Sequence, residues 1–299
     1  MTSHAERVVL PAGGQPVRVV AADGTTIAAR VYGADGAPTL VLAHGFSQQA
    51  RMWAYQIADL ADRYRIVVYD QRGHGASART SPASMTIATL GDDLHDVLRT
   101  CVPIGEKAVL AGHSMGGISI MSWAARHPHA VADRAAAAVL INTAANRIPD
   151  HIPLHGGPRR ARRAAPLLVR RSLLTLVHRR ARLPIRYLAL GDHADTGHLD
   201  AIMEMLAQAP PATLRRYITA FLAMDLADEL PRLTVPASVV GGTRDRLLPP
   251  VHCTLLAERL PSLDRVVMVP GSGHMGPWEA RETVSALLAD VAQRHLRRP

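Results

Sequence analysis

Four short stretches, far apart in the chain, carry residue types that can perform acyl transfer together. They are "HGF" (His44-Gly45-Phe46), "GHSMG" (Gly112 to Gly116), Asp245 in "GGTRDRLLPP" and His274 in "GSGHMGPW". A serine hydroxyl is a weak nucleophile until a base stands beside it and a third group orients that base. Ser114 can attack a carbonyl, His274 can take its proton and return it to a leaving group, and Asp245 can fix the tautomer of His274 and stabilise the imidazolium. The oxyanion that forms needs two backbone donors. Met115 N–H, just after the serine, can be one, and Phe46 N–H, in the turn after an earlier apolar run, the other.

The spacing Gly112-x-Ser114-x-Gly116 suits a strand that reverses sharply into a helix. Side chains two before and two after the serine would collide, so both positions are glycine. Taken alone, the motif is equally an ordinary glycine turn. A dinucleotide-binding turn needs G-x-G-x-x-G, which "GHSMGG" does not match. The weight comes from the order Ser, Asp, His, with each residue just past an apolar run.

Those runs define the elements that must position the chemistry. Residues 39–45 form a continuous apolar run without polar alternation, as expected of a strand buried on both faces; 65–70, 108–114 and 136–143 read as further buried strands, and strands return within 237–245 and 265–271. Residues 17–32 read as a hairpin around Asp23-Gly24. Helical patterns cover 50–62, 85–100, the stretch after Gly116 up to Pro128, and the chain from about 277. Such alternation makes an α/β fold, a mainly parallel sheet flanked by helices, and ligands bind at the carboxyl ends of its strands. The rhythm breaks over 146–220, which is helical and rich in Arg and Pro. The expected organisation is a core of 1–145 and 221–299 with 146–220 inserted as a helical cap.

Composition narrows the rest. The chain has 299 residues, 48% of them hydrophobic, enough for a large buried core. Its net charge of +9 would suit nucleic acid, but Lys107 is the only lysine and the arginines are clustered in one region alone, so no nucleic-acid partner is expected. Cys101 and Cys253 form no CxxC pair, and no disulfide, metal or redox site is implied. "HIPLH" (His151, His155) and "GDHADTGHLD" mix histidines with aspartates, yet Asp195 reads better as the N-cap of a helix starting near Thr196. The first residues lack the pattern of a secretory signal, and no apolar run reaches the roughly 20 residues of a membrane span. A cytoplasmic location is the expectation.

"VLAHGFSQQARMW", "VVYDQRGHGAS", "AGHSMGG", "VVGGTRDRLLPP" and "VPGSGHMGPWE" closely resemble the landmarks of the α/β-hydrolase fold, over residues 17 to 297. The resemblance implies an eight-stranded, mostly parallel sheet whose second strand is antiparallel, with a helical cap after the sixth. It implies structural roles for His44, Gly45, Gly112, His113 and Gly116, and for Asp70, Arg72, Gly73, His74 and Gly75 in the turn after strand four. Asn142 stands where some relatives carry the acid. Epoxide hydrolases and haloalkane dehalogenases have an aspartate where this chain has Ser114, so Tyr187 and Tyr217 read as packing or pocket residues. Carbon–carbon bond hydrolases often have an aromatic residue after the histidine, and here it is Met275. The esterase and lipase branch fits with least strain: hydrolysis of esters or thioesters with apolar, lipid-like acyl groups, without cofactor or metal. A carbon–carbon hydrolase, a haloperoxidase-like enzyme and a non-turnover ligand-binding protein are the alternatives.

The cap should decide the substrate, because it roofs the site. Residues 158–186 hold ten arginines among leucines and valines. One reading is a lid that docks on an anionic lipid surface, or an arginine contact to a phosphate. Around 167–180, however, apolar residues fall nearly all round the helical wheel, with Arg170, Arg171, Arg179 and Arg180 between them. That suits a packed helix with snorkelling arginines.

Overall fold

A computed structural model describes residues 8–146, 148 and 182–296. Eight strands form one sheet: β1 (Gln15–Val20), β2 (Thr26–Tyr32), β3 (Thr39–Ala43), β4 (Arg65–Tyr69), β5 (Ala108–His113), β6 (Ala135–Ile141), β7 (Ala237–Gly242) and β8 (Leu263–Val269), in the order β1-β2-β4-β3-β5-β6-β7-β8. β2 runs antiparallel to both its neighbours, and all other pairs are parallel. The hairpin turns at Gly24, whose φ of 82° a side chain would resist, while the Asp23 carboxylate accepts from Thr25 N–H at 3.0 Å.

Side chains alternate across a strand, so each apolar run supplies two cores at once. Val41, Ala43, Val67, Tyr69 and Leu110 pack on one face, and Leu40, Leu42, Ile66, Val68 and Val109 on the other. The first face is covered by α2 (Ile87–Cys101), α3 (Met115–Arg126) and α4 (Pro128–Arg134), the second by α1 (Ala54–Leu60) and the C-terminal α10 (Arg281–His295). Three expectations are refined. The helix read over 50–62 opens as a 3-10 turn, Ala50–Trp53, before α1. Pro128 ends α3 but also opens α4, since a proline at the first helical position lacks only an N–H that has no partner there anyway. β8 is an edge strand, with Leu263 and Val266 each 41% exposed, although its apolar run reads as a buried strand.

After β6 the chain leaves the sheet and returns through α5 (Arg182–Ala189), α6 (Thr196–Gln208) and α7 (Pro211–Leu222). Asp195 caps α6 by accepting from His198 N–H at 2.9 Å. The two ends of this insertion meet: Asn146 bridges Asp225, and Leu226 N–H donates to Ala145 O at 2.9 Å. His151, His155 and the arginines from Arg159 to Arg180 lie outside the described residues. Within them no helix is long and apolar enough to cross a membrane, and Cys101 and Cys253 are free, buried thiols. α8 (Val251–Ala257) follows β7, and the short α9 (Gly276–Glu279) follows β8.

Candidate active site

β5 runs straight into Ser114, which takes φ 51° and ψ −115°, a backbone conformation unusual for a residue with a side chain. The flanking glycines make it possible. A Cβ on Gly112 would strike the backbone of Gly116, and one on Gly116 the carbonyl of Ala43. The strained turn is held from three sides: Ser114 N–H donates to Ile141 O at 2.9 Å, Gly117 N–H donates to Ser114 O at 2.9 Å, and the Thr143 hydroxyl donates to Ser114 O at 2.7 Å. Among the described residues, the N–H groups of Phe46 and Met115 have no backbone acceptor. Phe46 lines the cavity with Ser114, and Met115 follows the serine directly in the chain.

Asp245 and His274 stand in the turns after β7 and β8. One oxygen of Asp245 accepts from Leu247 and Leu248 N–H at 3.0 and 2.8 Å. The other accepts from His274 Nδ1 at 2.8 Å and from the Asn142 side-chain amide at 2.9 Å. That occupies Nδ1 and leaves Nε2 as the ring nitrogen for proton transfer. Ser114 and His274 line one cavity. Among the described residues the Ser114 hydroxyl makes no hydrogen bond, to His274 or any other group; such bonds commonly tighten only when substrate is bound.

Ser47, Gln48 and His113 also line the cavity, and the rest of its wall is apolar. Phe46 lies near the nucleophile, Leu247 near the acid, Met275 beside the base, and Ile185, Leu188, Ala189, Ile202 and Leu206 come from α5 and α6. Tyr187 and Tyr217 stay off this wall. Tyr217 is fully buried against His74, with its hydroxyl donating to Arg72 O at 3.3 Å, and Tyr187 is half exposed under the Arg246 guanidinium.

The histidines around the nucleophile are buried and structural. Burial pushes His44 down to about 4 and His74 down to about 3, and holds His113 well below the ordinary histidine range. His44 Nε2 accepts from Gln71 N–H at 2.9 Å, His74 Nε2 accepts from Ser47 N–H at 3.3 Å, and His113 Nε2 donates to the carbonyl of His274 at 2.7 Å. The turn after β4 is equally structural. Asp70 accepts from Ala50 and Ala76 N–H at 2.7 and 2.8 Å, and Arg72 makes a buried two-pronged pair with Asp93 at 2.6 and 2.7 Å.

Residue types alone did not reveal several supports. Gln48 accepts from Gly45 N–H at 3.0 Å and donates to the Met275 sulfur at 3.0 Å, joining the Phe46 turn to the base loop. Asn142, considered only as a site for the acid, instead holds the acid. Glu279 accepts from the backbone on both sides of His274. The faint signals were an amide two residues after "HGF" and a carboxylate five after the histidine.

The chain is similar to several known proteins. The alpha/beta hydrolase fold family matches residues 38–280. The RutD protein of a Caulobacter strain, which carries the name of a carbamate hydrolase, is 31% identical over 240 residues, 79% of this chain and 83% of its own. Two solved structures are similar throughout. A thermophilic esterase from Thermogutta terrifontis has a TM-score of 0.75 and 25% identity, covering 94% of this chain and 99% of the other. An enol-lactonase from Burkholderia xenovorans has a TM-score of 0.73 and 28% identity, covering 92% and 99%.

Proposed function

The chain belongs to the alpha/beta hydrolase fold family, and on that premise we propose that it is a serine hydrolase of carboxylic esters or thioesters with apolar acyl groups. The observation that carries this reading is the cavity that Ser114 and His274 share, with Asp245 on the far nitrogen of His274 and a wall that is mainly apolar. Ser114 Oγ attacks the substrate carbonyl while His274 Nε2 accepts its proton. Negative charge collects on the carbonyl oxygen, where the N–H groups of Phe46 and Met115 receive it. Collapse expels the alcohol or thiol, protonated by His274, and leaves an acyl group on Ser114. Water, deprotonated by the same nitrogen, then releases the acid and restores the serine. Asp245 supports both steps by fixing the histidine tautomer.

The esterase and enol-lactonase likenesses support acyl transfer to water, and the relative named a carbamate hydrolase places carbamates beside esters as substrates to compare. The wall from α5 and α6 favours the longer, neutral acyl group. Each buried methylene contributes about 0.8 kcal/mol, roughly a fourfold gain in kcat/KM. Two measurements test the reading. A fluorophosphonate probe labels the wild type and not Ser114→Ala, whose kcat falls by about 10⁴-fold or more. Rates on p-nitrophenyl esters rise from acetate through butyrate. Labelling that survives Ser114→Ala would remove the serine from its role, and faster turnover of a short carbamate than of any ester would remove the substrate class.

A further inference from the structure

The base loop is fastened more completely than a surface turn needs to be. Gly273 and Met275, the residues on either side of His274, both donate their N–H to the Glu279 carboxylate, at 3.1 and 3.2 Å. His274 N–H itself donates to Ala189 O, the last residue of α5, at 2.9 Å, and its carbonyl accepts from His113. The oxygen of Glu279 that accepts from Gly273 also accepts from Gly191 N–H at 2.7 Å, two residues past α5. One buried carboxylate therefore grips the inserted segment and the base loop together. The segment lies so close that a Cβ on Gly191 would strike the Gly271 carbonyl, and Asp192 N–H donates to Gly271 O at 2.7 Å.

We propose that Glu279 is a positioning residue for His274, acting by clamping the start of the α5–α6 connection, at Gly191, to the loop that carries the base. The proposal rests on the reading of His274 as the base. The α5 end is then a fixed wall of the site, and its contact with the base loop sets where the imidazole stands. The carboxylate suits the task because both of its oxygens accept, and all three partners are donors. A glutamine in its place keeps one accepting oxygen for Gly191 and Gly273 but turns an NH₂ toward Met275 N–H. Alanine would leave all three amides unmet, so the glutamine variant is the informative one.

The test compares wild type with Glu279→Gln and Glu279→Asp. It reads kcat and KM on p-nitrophenyl butyrate, the rate of fluorophosphonate labelling, and the far-downfield proton signal of the His274 Nδ1–H bonded to Asp245. The expected result for Glu279→Gln is a fall of about tenfold in kcat and in labelling rate, KM within twofold, and a shifted or broadened proton signal. Unchanged kcat, labelling and signal in a variant that only melts earlier would overturn the clamp. A raised KM at constant kcat would do the same, because it would place the effect on the pocket wall. If the wild type hydrolyses no ester and takes no label, the acyl-transfer reading fails. The proton signal still decides the clamp, which stands if Glu279→Gln perturbs that signal and falls if it does not.

Discussion

The nucleophile and the acid–base pair sit in one cavity but are held in different ways. Ser114 is fixed by sterics within the sheet: two glycines that admit no Cβ, a strained φ, and hydrogen bonds from β6 and Thr143. No contact from the described residues of the insertion is among them. Asp245 and His274 are fixed by polar contacts, many of which lead to the insertion: Ala189 O on His274 N–H, Gly191 N–H on Glu279, and Arg244 and Arg246, on either side of Asp245, bonded to Asp192 and to the Tyr187 carbonyl. A sheet turn shaped by exclusion stays in place whatever roofs it. A pair shaped by hydrogen bonds to an inserted segment depends on where that segment sits. Changes to the insertion should therefore act on proton transfer as well as on substrate choice.

The sharpest way to break the contrast is at the acid. In Asp245→Asn the amide oxygen can still accept from Leu247 and Leu248 N–H. Its NH₂ then faces two donors, His274 Nδ1–H and the Asn142 side-chain amide. The imidazole must change tautomer and present a proton to Ser114 rather than accept one. A fall in kcat of roughly 10³- to 10⁴-fold is expected, with the melting midpoint nearly unchanged. Circular dichroism melts and ester kinetics on the same preparation check it. A large loss of stability would mean that Asp245 is as structural as the elbow glycines.

A smaller effect separates the two halves by pH. His44, His74 and His113 surround the nucleophile side and are held neutral by burial, with His44 pushed down to about 4 and His74 to about 3. The unfolded chain protonates its histidines near the ordinary value of about 6.5, so below that pH it binds protons the native state refuses. Stability is complete above about 6.5 and declines as the pH falls toward 4, by up to about 1.4 kcal/mol per pH unit for each such histidine. Urea midpoints at pH 7.5, 6 and 5 measure the slope, and hydrogen exchange locates it. The β5–α3 turn should loosen before the β7 and β8 turns. A midpoint that stays flat to pH 5 would contradict the histidines' burial.

The same difference explains what could be read from the chain and what could not. The strands were legible to within a few residues because continuous apolar runs have few other uses, and Ser114, Asp245 and His274 were legible because each stands at the end of such a run. Gly112 and Gly116 were legible because steric exclusion permits one residue type. Gln48, Asn142 and Glu279 were not. A glutamine that bonds to residue 275, or an asparagine that bonds to residue 245, has a meaning only once the fold has brought them together. Pro128 was read as a stop although it is also a start, since proline's missing N–H is compatible with both. The exposure of β8 was hidden because an edge strand can carry the same apolar run as a central one.

The smallest expected effect tests whether the insertion is held by its buried clamp or by its surface. Arg244 Nε reaches Asp192 at 3.1 Å, one residue from the Gly191 that Glu279 grips, but both partners are about half exposed, at 55% of their side-chain surface. An exposed pair contributes about 0–1 kcal/mol, because water screens the charges and two long side chains lose freedom. Arg244→Ala should therefore change kcat by less than about threefold and the melting midpoint by under about 2 °C, with the difference shrinking further in high salt. Glu279→Gln, which removes the buried acceptor of Met275 N–H at the base-loop end of the same clamp, should exceed it on kcat. If the order is reversed, the surface pair carries the coupling between insertion and base. If the two are equal, the segment between α5 and α6 is held by the sum of its contacts, and no single clamp sets the position of His274.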